Sequence, residues 1–396
     1  MTESHPAMDP LLLDGVKILD LSRVLAGPFA TQLLGDLGAN VVKVGHTERG
    51  DDTRHWGPPF TGGESAYFLS TNRNKRSIKA DFANAEDLTW IKRLAAEADV
   101  VIENYRRGAL VRFGLDYPAL KATNPRLVYG SITSFGPGRD EALPGYDFLV
   151  QARGGVMGIT GPTDGEPMKV GVAVSDIVCG LYASNAVLAA LYRREQTGVG
   201  SHVEIPLFES QVSWLANRAQ EYLVSGEDKG RLGNAHPTIV PYQVFQASDG
   251  PVALAVGNNL QFASLCRALG CKELAVDPLF ASNPVRVANR TLLVPILERI
   301  FATQTASEWI GRIGAGGVPC GPVNGLAGVF ADLHLATTDL VQSIEHPTAG
   351  SVRLLASPIL VNGQRPPIRR APPLHGQHSD EVTRQGWAEA PPRSEP

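Results

Sequence analysis

Short runs of apolar and β-branched residues recur through the first third of the chain, and each is followed by a stretch whose apolar positions repeat every three or four places. Val16–Leu21 alternates as a strand does, Pro28 falls at a helix-opening position, and Phe29–Leu37 carries a helical stripe that Gly38 closes. Asn40–Val44 then reads as a second strand, so residues 16–44 predict a βαβ unit. The pattern returns with a helix over 85–97, a strand at Asp99–Glu103, a helix over 117–122 and a strand at Arg126–Ile132. Strands that alternate with helices in this way predict an α/β fold whose large domain is built on a Rossmann-like parallel sheet.

The longest uncharged stretch runs from Ile177 to Tyr192, directly after Asp176. Interrupted by Gly180, Ser184 and Asn185, it is short for a membrane span and predicts a buried core helix. A carboxylate at the mouth of such a helix meets unpaired N–H groups. That leaves two roles for Asp176: a helix cap, or a nucleophile that those N–H groups keep ionised.

The texture changes at Ser225–Gly230, which reads as a linker. The expected organisation is a large domain over 1–225, a smaller α/β domain over 226–334, and a C-terminal segment, 335–396, that returns to the large domain. The smaller domain has a strand at Pro251–Val256 and helices near 260–269, 292–302 and 306–314; the returning segment has a strand at Ser351–Leu355. Residues 387–396 are polar and proline-rich and are expected to be disordered.

Composition narrows the partners. With 36 basic against 40 acidic residues and a formal net charge of -4, the chain has no basic excess, so small molecules are expected rather than nucleic acid or a membrane. Cys179, Cys266, Cys271 and Cys320 form no CxxC pair, and the histidines form no HxH or HxxxH pair, so no disulfide framework and no metal site are expected. The first 13 residues carry two acids and no Arg or Lys, which suits no targeting segment and leads to a cytoplasmic expectation.

In open parallel sheets ligands collect beyond the carboxyl ends of the strands. Here those ends are Ser22–Gly27, Gly45–His46, Asn104–Arg107 and Thr133–Gly136. Their glycines, aromatic ring and arginines suit a nucleotide that carries phosphates. No GxGxxG follows the first strand and no GxxxxGK[ST] occurs, so the standard dinucleotide and P-loop readings lose their support.

In order and spacing, Leu13–Pro28, Asn72–Ile78, Asp99–Tyr105, Gly145–Asp147, the Asp176 run, Thr197–Gly200 and Gly317–Pro322 together resemble the class III CoA-transferases, also called the CaiB/BaiF family. The resemblance implies an enzyme that moves CoA from an acyl-CoA to a free carboxylic acid, with CoA thioesters as substrates and no permanently bound cofactor. It makes Asp176 the nucleophile, passing through an acyl anhydride and an aspartyl-CoA thioester. It also implies a homodimer of interlocked, ring-like chains.

By the same resemblance Leu25 and Ala26 would meet the nucleotide through their backbone, and Asn72, Asn74 and Lys75 would reach the phosphates or adenosine. Asn104, Tyr105, Arg106 and Arg112 would line the pantetheine and phosphate path. His46 stands where the family commonly carries a CoA-contacting arginine, and Arg107, in place of a usual proline, would restore some of that charge.

Within the family the similarity is closest to members acting between succinyl-CoA and glutarate, through Gly50–Pro59, Gly233–Tyr242 and Gly257–Phe262. A dicarboxylate acceptor follows, with His236, Tyr242 and Arg106 as candidates for its distal carboxylate and Gly257 to Gln261 as a candidate loop over Asp176. Two alternatives stay open. One is an α-methylacyl-CoA racemase of the same fold, whose histidine is replaced here by Tyr146 in Gly145-Tyr146-Asp147. The other is a noncatalytic acyl-CoA-binding protein in which Asp176 only caps.

Overall fold

Six strands form one sheet: β1 (Lys17–Asp20), β2 (Asn40–Gly45), β3 (Lys75–Lys79), β4 (Val100–Glu103), β5 (Val128–Thr133) and β6 (Ser201–Pro206). In this computed structural model, which describes residues 11–388, every pairing in that sheet is parallel and the order is β3-β2-β1-β4-β5-β6. Parallel strands are covered on both faces, which is why Ile18, Leu19, Val41, Val42, Val100 and Val101 are all buried. The winding order reverses between β1 and β4: the chain adds β2 and β3 on one side of β1 and then β4, β5 and β6 on the other. This is the switch point at which doubly wound sheets open a crevice.

The expectation omitted β3 and β6. The β3 run Lys75-Arg76-Ser77-Ile78-Lys79 reads as a solvated segment, yet Lys75 and Arg76 are buried because their charges are paired inside the protein. The β6 run is half polar because it is the outer strand of the sheet.

Helices α1 (Ala26–Asp36), α2 (Ala66–Thr71), α3 (Ala85–Glu97), α4 (Tyr117–Thr123), α5 (Asp147–Arg153), α6 (Val174–Thr197), α7 (Leu207–Trp214) and α8 (Ala216–Ser225) complete this part of the chain. The uncharged run lies within α6, whose 24 residues are long and apolar enough to cross a membrane by length and composition. It is nevertheless a core helix: Cys179, Ala183, Val187 and Leu191 pack with Ala26, Ala30 and Leu34 of α1 and with the sheet. Gly180 permits the close approach, because a Cβ there would lie 2.7 Å from the Ala26 carbonyl oxygen.

The chain divides into two compact units, described residues 11–156, 170–225 and 333–388 in one and 157–169 and 226–332 in the other. The segment 157–169, expected in the large domain, falls in the second unit. There the Arg231 guanidinium donates to the carbonyls of Pro162 and Gly165, and Met168 N–H donates to Thr160 O. The second unit holds an antiparallel sheet of β7 (Tyr242–Gln246), β8 (Pro251–Ala255) and β9 (Cys320–Pro322) with α9 (Asn259–Leu269), α10 (Arg290–Phe301) and α11 (Ala306–Ala315). Its core centres on Phe245 stacked on Phe301 at 4.7 Å, with Trp309 donating to the Phe301 carbonyl.

In the first unit, β10 (Val341–His346) and β11 (Gly350–Leu355) form a hairpin. The end of the chain packs on β3 and α3: buried Arg76 donates to Glu381 and to the carbonyls of Trp387 and Ala388, and the Trp387 indole donates to Leu94 O. The disorder expected over 387–396 therefore does not hold for Trp387 and Ala388; the rest of that stretch lies outside the described residues.

Beneath the switch point lies a buried ionic cluster. Asp20 Oδ2 accepts from Thr31 at 2.6 Å and from Lys75 at 3.2 Å; Lys43 donates to Ser22 O at 2.8 Å and pairs with Asp51 at 2.8 Å. Burial pushes the Lys75 ammonium down to about 7 against the pull of Asp20. Burial also opposes the ionised forms of Asp20 and Asp51, but Lys43 and Lys75 hold Asp20 low, and Lys43 holds Asp51 at about 2.

Removing one member of a buried pair strands the other charge, at a cost of about 3–5 kcal/mol. Asp20→Asn, which leaves two lysines facing each other, is expected to lose that much in urea unfolding. Lys75→Met, which leaves Asp20 with Lys43, should lose clearly less; the reverse ranking would show that Asp20 is not the hub.

Candidate active site

The crevice is built by loops that leave the strand ends. Asn104, after β4, clamps the loop after β1 from both sides: its Oδ1 accepts from Arg23 N–H at 2.9 Å and its Nδ2 donates to Arg23 O at 2.7 Å. Val24 adopts φ +70°, a strained conformation for a β-branched residue, and its N–H is received by Asp51 Oδ1 at 3.3 Å. The buried cluster thus holds the turn from which Leu25 leads into α1.

A cavity of about 240 Å³ opens between Arg23–Leu25 and Asn104–Arg107 and extends to Ile132–Ser134, the 141–146 loop, Asp52 and Asp176. Asp176 is the third residue of α6 and makes no capping contact. The cap comes from another helix. Asp147 of α5 accepts the Ser175 N–H at 2.8 Å through one carboxylate oxygen and Gln151 Nε2 at 2.7 Å through the other. Ser175 Oγ in turn donates to buried Gln211 of α7 at 2.8 Å. The Ser175 N–H is met without Asp176, whose carboxylate lines the cavity.

The electrostatics differ from the expectation that helix N–H groups keep Asp176 ionised. Desolvation, followed by the charge of Asp147, pushes it up to about 7. Tyr67 of α2 belongs to the same field, since burial first and Asp176 second raise its phenol to about 12. Its ring meets Trp56 edge to face at 5.3 Å. Periodicity offers no signal for Tyr67, Asp52 or Glu141, which come from short or irregular segments.

Of the residues expected to bind CoA, Leu25, Asn104, Tyr105 and Arg106 line the cavity, and Ala26 opens α1 beside it. Asn72, Asn74 and Lys75 lie inside the protein instead. Asn72 bonds Phe68 O and Lys75; Asn74 bonds Asp36 and receives the N–H groups of Arg369 and Arg370; Lys75 is spent on Asp20, Pro28 O and Asn72. Their side chains hold the fold together, which corrects the expectation that they reach a ligand. His46 is exposed at the end of β2, with Nδ1 accepting from Glu48 N–H, and does not line the cavity. Arg107 does not replace the missing charge there, because it pairs with Glu204 and, at 3.8 Å, with Glu141. Arg112 is exposed over the Phe113 ring at 4.5 Å.

The remaining candidates belong to the second unit. His236 and Tyr242 have ring centres 5.2 Å apart, and His236 N–H donates to Tyr242 O. The Gly257–Gln261 segment, expected as a loop, is the start of a helix: Asn258 caps α9 and Gly257 N–H donates to Gln261 Oε1 at 2.7 Å. Among the described residues no three His, Cys, Asp or Glu side chains converge as metal ligands.

The sequence model of CoA-transferase family III matches residues 13–379. Succinyl-CoA:glutarate CoA-transferase of Homo sapiens is 43% identical over 374 residues, 94% of this chain and 85% of the human protein. Succinate–glutarate CoA-transferase of Agrobacterium fabrum is 42% identical over 93% of this chain and 94% of its own. The crystal structure of a CaiB/BaiF family protein from Brucella suis superimposes with a TM-score of 0.84 at 43% identity, covering 95% of this chain and all of that one.

Because the pKa of Asp176 is raised in the folded state, folding favours its protonated form. The associated penalty is absent below the unfolded value near 4 and builds as pH rises toward 7, reaching a few kcal/mol at order-of-magnitude level. Asp176→Asn should therefore raise the urea midpoint at pH 8 and leave it nearly unchanged at pH 4. A midpoint raised equally at both would show that its carboxylate is not strained by ionisation.

Proposed function

The chain belongs to CoA-transferase family III and is a CoA-transferase, and from that premise we propose that it carries CoA from succinyl-CoA to glutarate with Asp176 as the covalent carrier. The observation that carries this reading is that Asp147 takes over the helix cap and leaves the Asp176 carboxylate in the wall of a cavity at the sheet's switch point. A volume of about 240 Å³ suits a short acid or the acyl end of a thioester.

In the proposed sequence the Asp176 carboxylate attacks the succinyl thioester carbonyl, forming a mixed anhydride and expelling CoA thiolate. The thiolate attacks the Asp176 side-chain carbonyl, giving an aspartyl-CoA thioester and releasing succinate. Glutarate then attacks that thioester and expels the thiolate again; the thiolate takes the glutaryl group from the second anhydride and frees Asp176. No proton need be gained or lost across the cycle. The task of the protein is to hold the carboxylate, thiolate and acid together away from water.

Only ionised Asp176 is nucleophilic, so the apparent pKa of about 7 sets the acid limb of the first step. This reading includes the interlocked homodimer, supported by large apolar side chains left at the surface, such as Leu223, Val224 and Leu333.

Purified protein given succinyl-CoA and glutarate is expected to form glutaryl-CoA, with activity sedimenting as a dimer. Asp176→Ala should lower the rate at least a thousandfold. Exchange that survives the substitution would end the aspartyl mechanism. In single-turnover measurements without acceptor, the rate of aspartyl-CoA formation should climb through a midpoint near pH 7. A flat profile from pH 5 to pH 8 would contradict the raised pKa.

A further inference from the structure

Six charged side chains, Asp176 among them, line the cavity, and four of them cancel in pairs. Arg23 meets Asp52 at 3.5 Å, and Arg107 meets Glu141 at 3.8 Å while also pairing with Glu204. The remaining two are Asp176 and Arg106. Among the described residues the Arg106 guanidinium makes no ion pair, although its backbone is fixed by Ala109 N–H donating to its carbonyl at 2.9 Å. An unpaired guanidinium on an anchored stem, sharing a small cavity with a nucleophile, is equipped to receive a carboxylate through two parallel N–H groups.

We propose that Arg106 reads the distal carboxylate of the dicarboxylic acid whose near carboxylate reacts at Asp176. This rests on the transferase reading above. Three features favour that partner over a CoA phosphate and that side over any other. The diphosphate of CoA lies a whole pantetheine arm away from the thioester, whereas Arg106 lines the same cavity as the nucleophile. A second cavity of about 270 Å³, also lined by Arg106, holds Glu103 and Asp116, which are in no ion pair among the described residues and repel an anion. Finally, Arg23 and Arg107 already have acidic partners, so Arg106 is the cavity's cation with capacity left.

The test is a competition in one vessel, with succinyl-CoA limiting and glutarate and pentanoate both present, followed by mass spectrometry of the two new acyl-CoA species. Both acids draw on the same enzyme-bound CoA, so their ratio is independent of the donor step. Arg106→Gln is expected to lower the glutaryl-CoA to pentanoyl-CoA ratio by about 10- to 100-fold, as the loss of a charge-assisted contact implies, and Arg106→Lys should recover part of it. The residue is exposed, so the variants should melt as the parent does. An unchanged ratio would overturn the proposal, and equal loss for both acids with a raised KM for succinyl-CoA would assign Arg106 to CoA instead. If the parent enzyme forms neither ester, the transferase reading fails and the proposal falls with it; parental turnover with an unchanged variant ratio removes Arg106 alone.

Discussion

Everything at the cavity end of the sheet stands on charges that water cannot reach. Asp20, Lys43, Lys75 and Asp51 are buried, and each is tolerable only because the others are in place. The cluster spans β1, β2, β3 and the turn that carries Asp51, and it reaches up to hold the N–H of Val24. A hydrophobic core would supply stability at lower risk, but it would leave the loop after β1 free to settle into an unstrained shape. The ionic cluster instead fixes one shape, including a backbone angle that valine adopts only under constraint.

At the mouth of α6 the rule is inverted. The Ser175 N–H at the helix end is received by a neighbour, Asp147, whose charge then opposes that of Asp176. One residue thus leaves the Asp176 carboxylate uncapped and raises its energy as an anion. The cavity pairs its other charges and leaves one acid and one base open. Such imbalance is what a fold optimised only for stability would remove.

Much of the frame was legible in the sequence because hydrophobic periodicity encodes it: β1, β2, β4, β5 and the helices over 85–97 and 117–123 fall where apolar spacing placed them. The strands that escaped detection, β3 and β6, are those whose polar content is explained only by partners distant in sequence, such as Asp20 for Lys75 and Glu381 for Arg76. The site followed the same division. Loops at strand ends could be listed from topology, and Leu25, Asn104, Tyr105 and Arg106 do line the cavity. Asn72, Asn74 and Lys75 turned inward, and Arg107 spent its charge on Glu204 and Glu141. Side-chain direction and charge pairing are tertiary properties, and no local pattern records them.

The grip of Arg76 on the end of the chain bears on how the protein comes into being. This guanidinium is almost wholly buried, and apart from Asn40 its hydrogen-bond partners are Glu381, Trp387 and Ala388. During synthesis the first three strands leave the ribosome some three hundred residues before those partners do. Until then the outer strand of the sheet holds a cation with too few acceptors, so that edge cannot close over it. Burial of Arg76 is thereby deferred until residues 381–388 have been made. A product truncated before Glu381 would retain the nascent, open edge and present it to chaperones and proteases.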